Sequence, residues 1–165
     1  MKSPEFRQKE RGTVLECEHG GEILDRIKRI PIVDALGIQI DELGEGRCMA
    51  TVPRDTRFDG IFESFHGGIL LTIADSIACF AILTLCRPGQ ILTTTDMSIC
   101  FLGPCFTDVT ADARVIKLGR TLCPVAVDLF DTSRQKVALA HVKYIRLGDM
   151  PKRSNAKPAR GSGTE

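Results

Sequence analysis

Tryptophan is absent from this sequence, tyrosine occurs once, and aromatic residues make up only 5% of it. A surface that stacks nucleobases needs more than that. Charge of one sign is missing too. Lys and Arg number 22 against 21 Asp and Glu, a net +1, which excludes the electrostatic footprint of a nucleic-acid binder. The seven cysteines (17, 48, 79, 86, 100, 105 and 123) contain no Cys-x-x-Cys pair. An odd, scattered set points to reduced thiols in a cytoplasmic protein. Cys17-Glu-His19 is at most a fragment of a metal site, because no second cluster supports it. No Gly-x-Ser-x-Gly elbow occurs, so a Ser-His-Asp triad has no support. The N-terminus, Met-Lys-Ser-Pro-Glu-Phe-Arg-Gln-Lys-Glu, lacks the apolar core of a signal peptide. The longest apolar run, residues 69–85, is short for a membrane span and carries an acid at its centre.

That acid is Asp75, and it is the most informative residue of the chain. A segment apolar on nearly all sides is a buried helix. A carboxylate inside it is costly unless compensated. Either Asp75 has a dedicated structural partner or it faces a cavity where its setting is useful. Helical spacing places Gly68, Thr72, Asp75, Ser76 and Cys79 on one face, with Ile69, Leu70, Ile73, Ile77, Phe80 and Ile82 on the others. The polar stripe starts at His66-Gly67-Gly68. A helix N-terminus offers unpaired N–H groups to an oxyanion, and glycine lets a carbonyl approach closely. Asp75 lies about 10 Å further along, too far to act on the same carbonyl within one helix. Two copies of the helix, antiparallel across a dimer axis, would bring each Asp to the other's glycines.

The 165 residues fit one domain over 20–148, with a loose leader at 1–19 and a disordered basic tail at 149–165. Glu22 to Leu36 has the spacing of a short amphipathic helix interrupted by Pro31. Residues 37–43 and 47–52 read as a hairpin around Gly44-Glu45-Gly46. The buried helix covers about 67–86. Strands follow at 91–102, 109–118, 122–131 and 136–147, joined by turns into an antiparallel meander. The expected fold is α+β, with one sheet of about six antiparallel strands wrapped around one long buried helix. The helix strip left uncovered calls for a second subunit.

These segments resemble the hotdog-fold acyl-CoA thioesterases, nearest to the phenylacetate-degradation type. His66-Gly-Gly-Ile-Leu-Leu-Thr-Ile-Ala-Asp75 matches the family's His-Gly-Gly and following acid. Thr93-Thr-Thr-Asp-Met-Ser-Ile-Cys-Phe-Leu-Gly-Pro104 resembles its long central strand, and Lys117-Leu-Gly-Arg120 its tight turn. The resemblance implies that the Gly67 N–H polarises a thioester carbonyl, with His66 and Gly68 beside it. It implies that Asp75 of a partner subunit acts as base or nucleophile, and that Thr94 helps place the water. Lys117 and Arg120 would meet coenzyme A phosphates, and Phe65 and Thr72 would contact substrate. The implied partners are an acyl-CoA substrate and further copies of the chain, as a homodimer or a dimer of dimers. No cofactor, nucleic acid or membrane is implied. Where the family has an Asn six residues before the His, this chain has Gly60, preceded by Asp59.

Simpler readings stand beside these. His66 fits a cap, Thr94 an ordinary strand residue, Arg120 a solvated turn, and Cys79 a small core residue. Phe62, Phe65 and Phe80 suit an aryl or a medium-chain pocket. Two rival functions remain. One is a non-catalytic acyl-CoA or acyl-chain binding protein. The other, on the same fold, is an enoyl-CoA hydratase or dehydratase, which needs a His and an Asp converging on one carbon, whereas His66 and Asp75 are more than two helical turns apart.

Overall fold

A computed structural model describes residues 13–14 and 19–149. In chain order it contains β1 (Thr13–Val14), α1 (Gly20–Ile27), α2 (Pro31–Leu36), β2 (Gln39–Gly44) and β3 (Arg47–Val52). A 3₁₀ turn at Thr56–Phe58 precedes the central helix α3 (Gly67–Leu83). Then come β4 (Gln90–Phe101), β5 (Val109–Val115), β6 (Leu122–Phe130) and β7 (Lys136–Asp149). The proposed tail from residue 150 and most of the proposed leader lie outside the described residues. Pro31 separates α1 from α2 and opens the second helix at its first position, where a missing N–H costs nothing. Gly46, at φ 76° in the turn between β2 and β3, has no room for a side chain: a Cβ there would stand 2.9 Å from Leu85 Cδ1.

The seven strands form one sheet in the order β1-β2-β3-β5-β6-β7-β4. Strands β2 to β7 pair antiparallel, the six expected, and the two-residue β1 adds a parallel pairing to β2. The meander holds for β5, β6 and β7 but not for β4, which crosses over to pair with β7. Residues 102–108, with Gly103 and Pro104, make too long and irregular a connection for a hairpin with β5. β4 is therefore an edge strand of 12 residues, and its ladder with β7 slips between Thr94 and Asp96.

Period-two alternation turns one face of the sheet onto α3. Cys48, Ala50 and Val52 of β3, Ala111 and Ala113 of β5, Val125 and Val127 of β6, and Ala140 and Val142 of β7 are all buried. The alanines let α3 lie close. Its Ile73, Ile77 and Ile82 are fully buried, each worth about 1.5–3 kcal/mol of transfer free energy. The less buried side of α3 carries the stripe from Gly68 through Thr72, Asp75 and Ser76 to Cys79.

Candidate active site

His66 caps α3. Its Nδ1 accepts a hydrogen bond from the Gly68 N–H at 3.0 Å, and its carbonyl accepts from Ile69 and Leu70. The Gly67 N–H makes no hydrogen bond to a described residue, as expected in the first turn of a helix. The Phe101 ring covers Gly67 so closely that a Cβ there would stand 2.9 Å from Cζ. Position 60 lies beside the cap, since a Cβ on Gly60 would sit 3.6 Å from His66 Cδ2. The loop before the cap is tied internally. Arg54 Nη2 donates to Asp59 Oδ2 at 2.5 Å and to the Glu63 carbonyl at 2.7 Å, and the Phe58 carbonyl accepts from the His66 N–H at 3.0 Å. Asp59 thus serves the loop through Arg54. At the tip stand Ile61 and Phe62, 90% and 83% exposed.

Asp75 lies eight residues beyond Gly67 on the same helix. One oxygen, Oδ1, accepts from Thr94 Oγ1 at 2.8 Å and from Tyr144 Oη at 2.6 Å. The Tyr144 hydroxyl also stands 2.8 Å from the Asp75 carbonyl oxygen, and the two acceptors share its single hydrogen. Asp75 Oδ2 makes no hydrogen bond to a described residue. Thr94 and Tyr144 face each other across the β4–β7 ladder, so their side chains leave the sheet on the same side. The slip after Thr94 is a bulge, a device that re-aims a strand locally. Burial holds the Tyr144 phenol well above the ordinary tyrosine range, with Cys79 and Asp75 adding to the shift. Burial, then Asp75, pushes the Cys79 thiol up to about 11, which removes it as a nucleophile near neutrality.

The sequence-predicted residues therefore fall into groups. Asp75 and Thr94 are brought together. His66, Gly67 and Gly68 form the helix cap some 12 Å away along the helix. The Thr72 hydroxyl donates back to the Gly68 carbonyl at 2.9 Å and Ser76 to the Thr72 carbonyl at 2.9 Å, so both stripe hydroxyls serve the helix itself. Phe65 and Phe80 are core residues, 5% and 3% exposed, while Phe62 stands in the open. Lys117 and Arg120 are exposed. Their turn is braced by Arg146 Nη1, which donates to the Gly119 carbonyl at 3.2 Å, and no contact joins it to Asp75 or the cap. Tyr144 is the residue the sequence reading missed. Its signal was available: alternation along Ala138, Ala140, Val142 and Tyr144 puts the one tyrosine on the buried face, where its hydroxyl requires a partner. Among the described residues no group of His, Cys, Asp and Glu suits a metal ion, and no helix is long and apolar enough to cross a membrane.

Comparison with known proteins bears on this geometry. The thioesterase superfamily model matches residues 62–138, from the loop tip through α3 to the start of β7. A putative esterase of Haemophilus influenzae is 33% identical over 98 residues, spanning 59% of this chain and 71% of its own. Human acyl-coenzyme A thioesterase 13 is 32% identical over 106 residues, spanning 61% and 74%. The chain belongs to the thioesterase superfamily. With that membership it is an enzyme, a thioester hydrolase. The acyl-coenzyme A thioesterase PaaI of Escherichia coli is 29% identical over 117 residues, spanning 69% of this chain and 81% of its own. The solved structure of E. coli PaaI superposes with a TM-score of 0.74 at 24% identity, covering 81% of this chain and 96% of that one. A thioesterase family protein from Silicibacter pomeroyi gives 0.73 at 25%, covering 78% and 98%. This superfamily member therefore has the hotdog architecture, α3 being the helix its sheet wraps.

Proposed function

We propose that the protein is a cytoplasmic acyl-CoA thioesterase whose site forms between two copies of the chain. The Gly67 N–H of one copy polarises the thioester carbonyl, with the His66 cap fixing the helix end around it. Asp75 of the other copy supplies the carboxylate, as base on water or as nucleophile on the carbonyl carbon. The net reaction adds water across the C–S bond and releases acid and thiol. An unbonded donor at a helix N-terminus supplies oxyanion stabilisation, typically about 10²–10³ in rate, and a positioned base about 10²–10⁴. The supporting observation is the separation itself. The free donor and the carboxylate sit on one rigid helix, about 12 Å apart, too far to meet on one carbonyl. The long open edge of β4 offers the surface on which a second copy pairs, and dimers pair further through faces of the same sheet. Lys117 and Arg120, exposed on their turn, carry charge suited to phosphates.

Loss of thioester absorbance with short, medium, long and aryl acyl-CoAs tests this. Hydrolysis of at least one class is expected, falling by about 10²–10⁴ in Asp75→Asn. A folded wild type that hydrolyses none of them sinks the reading and favours ligand binding without turnover.

A further inference from the structure

We propose that Tyr144 is a positioning residue for the reaction: its phenol and the Thr94 hydroxyl together hold Asp75 Oδ1, leaving Oδ2 as the oxygen that reacts. This rests on the reading of Asp75 as base or nucleophile.

The two donors come from two strands. Thr94 stands on β4 and Tyr144 opposite it on β7, and both reach the same carboxylate oxygen, at 2.8 and 2.6 Å. Both are neutral hydroxyls, so they stabilise a carboxylate without neutralising it. Tyr144 is 4% exposed, its ring packed in the core, so its oxygen has little freedom to follow a wandering side chain. The same hydroxyl lies 2.8 Å from the Asp75 backbone carbonyl, which ties it to the helix as well as to the side chain. A carboxylate pinned through one oxygen has its second oxygen directed by geometry. Such pre-organisation is what a general base or nucleophile needs before substrate arrives. Ordinary packing explains a buried ring at position 144, but a phenylalanine would serve that purpose equally. The hydroxyl requires its own reason, and Asp75 is the group it meets. Its protonated state is secure, because burial holds the phenol above the ordinary tyrosine range. Tyr144 thus acts as a hydrogen-bond donor to the carboxylate.

Tyr144→Phe keeps the ring and removes the donor. Its kcat is expected to fall about 10- to 100-fold, the weight of one hydrogen bond to a charged group, with KM within about 3-fold of wild type. Urea unfolding alongside shows whether the variant is folded. A folded Tyr144→Phe with kcat within about 2-fold of wild type overturns the proposal. So does a loss expressed in KM alone. A wild type that hydrolyses no thioester removes the underlying reading as well, so the two failures are distinct.

A second measurement does not depend on that variant. The chain has one tyrosine and no tryptophan, so its intrinsic fluorescence comes from this phenol alone. A phenol donating to a carboxylate is quenched. Fluorescence is expected to rise in Asp75→Asn and to stay unchanged in Asp128→Asn, whose carboxylate pairs with Arg114 and Lys136. Equal signals in the two variants overturn the contact and the proposal with it.

Discussion

At the scale of single residues, the Nδ1 lone pair of His66 is engaged by the Gly68 N–H, which makes the imidazole a cap before anything else. His66→Ala is expected to destabilise the protein by about 0.5–2 kcal/mol in urea unfolding, whereas His66→Asn, a good cap in its own right, recovers most of that loss. Hydrolysis should follow the same order, because the cap keeps the first turn, and with it the Gly67 N–H, in place. If Ala and Asn variants were equally stable and Asn equally inactive, the imidazole would have a chemical role beyond the cap. Asp75 was legible in the sequence because a charge within a 17-residue apolar run breaks a simple rule. Tyr144 was not, because a tyrosine in a strand breaks none, and its partner is 69 residues away in the chain. Phe65, expected to contact substrate, has its ring buried in the core. Thr72 lies on the polar stripe, and its hydroxyl serves the Gly68 carbonyl. A helical wheel gives the face on which a residue lies and not what its polar atom bonds.

At the scale of elements, α3 carries the two halves of the proposed site on one rod and keeps them apart. In a dimer that joins the two helices, each site draws Gly67 from one chain and Asp75 from the other. Co-expression of Gly67→Ala with Asp75→Asn tests this. Gly67→Ala crowds Phe101 and disturbs the donor. In a mixed dimer one site carries both lesions and the other carries neither. With random pairing, half the dimers are mixed and half their sites intact, so about a quarter of wild-type activity returns, although each variant alone is nearly inactive. Activity no higher than that of the separate variants would mean that each chain completes its own site. Helix and strand positions followed directly from apolar period, Pro31 and the Gly-Glu-Gly turn. The partner of β4 did not. Strand pattern gives which face is buried, whereas neighbour order depends on the path of residues 102–108, where no periodic signal exists.

At the scale of the whole molecule, several protons are held more tightly by the fold than by the unfolded chain. Burial raises the Cys48 thiol, with Asp41 and Asp112 adding to it. Burial and Asp75 take Cys79 from 9.0 to about 11, and burial raises Tyr144 above 10.0. A raised value in the folded state means the unfolded chain binds fewer protons in alkaline solution, so stability is full below the unfolded value and falls as pH climbs through the folded one. Urea midpoints are expected to be level up to about pH 9 and to decline steadily from there through pH 11. A midpoint unchanged at pH 11 would show that these thiols and the phenol reach water. The sheet carries one further consequence. Among the described residues one of its edges ends in the two-residue β1, and the other is the 12-residue β4. The longer free row of backbone groups therefore lies along β4. In the proposed dimer, a second copy joined there antiparallel covers both long strands and turns only the short edges outward, so a long exposed strand, elsewhere a seed for fibres, would be spent in a single pairing.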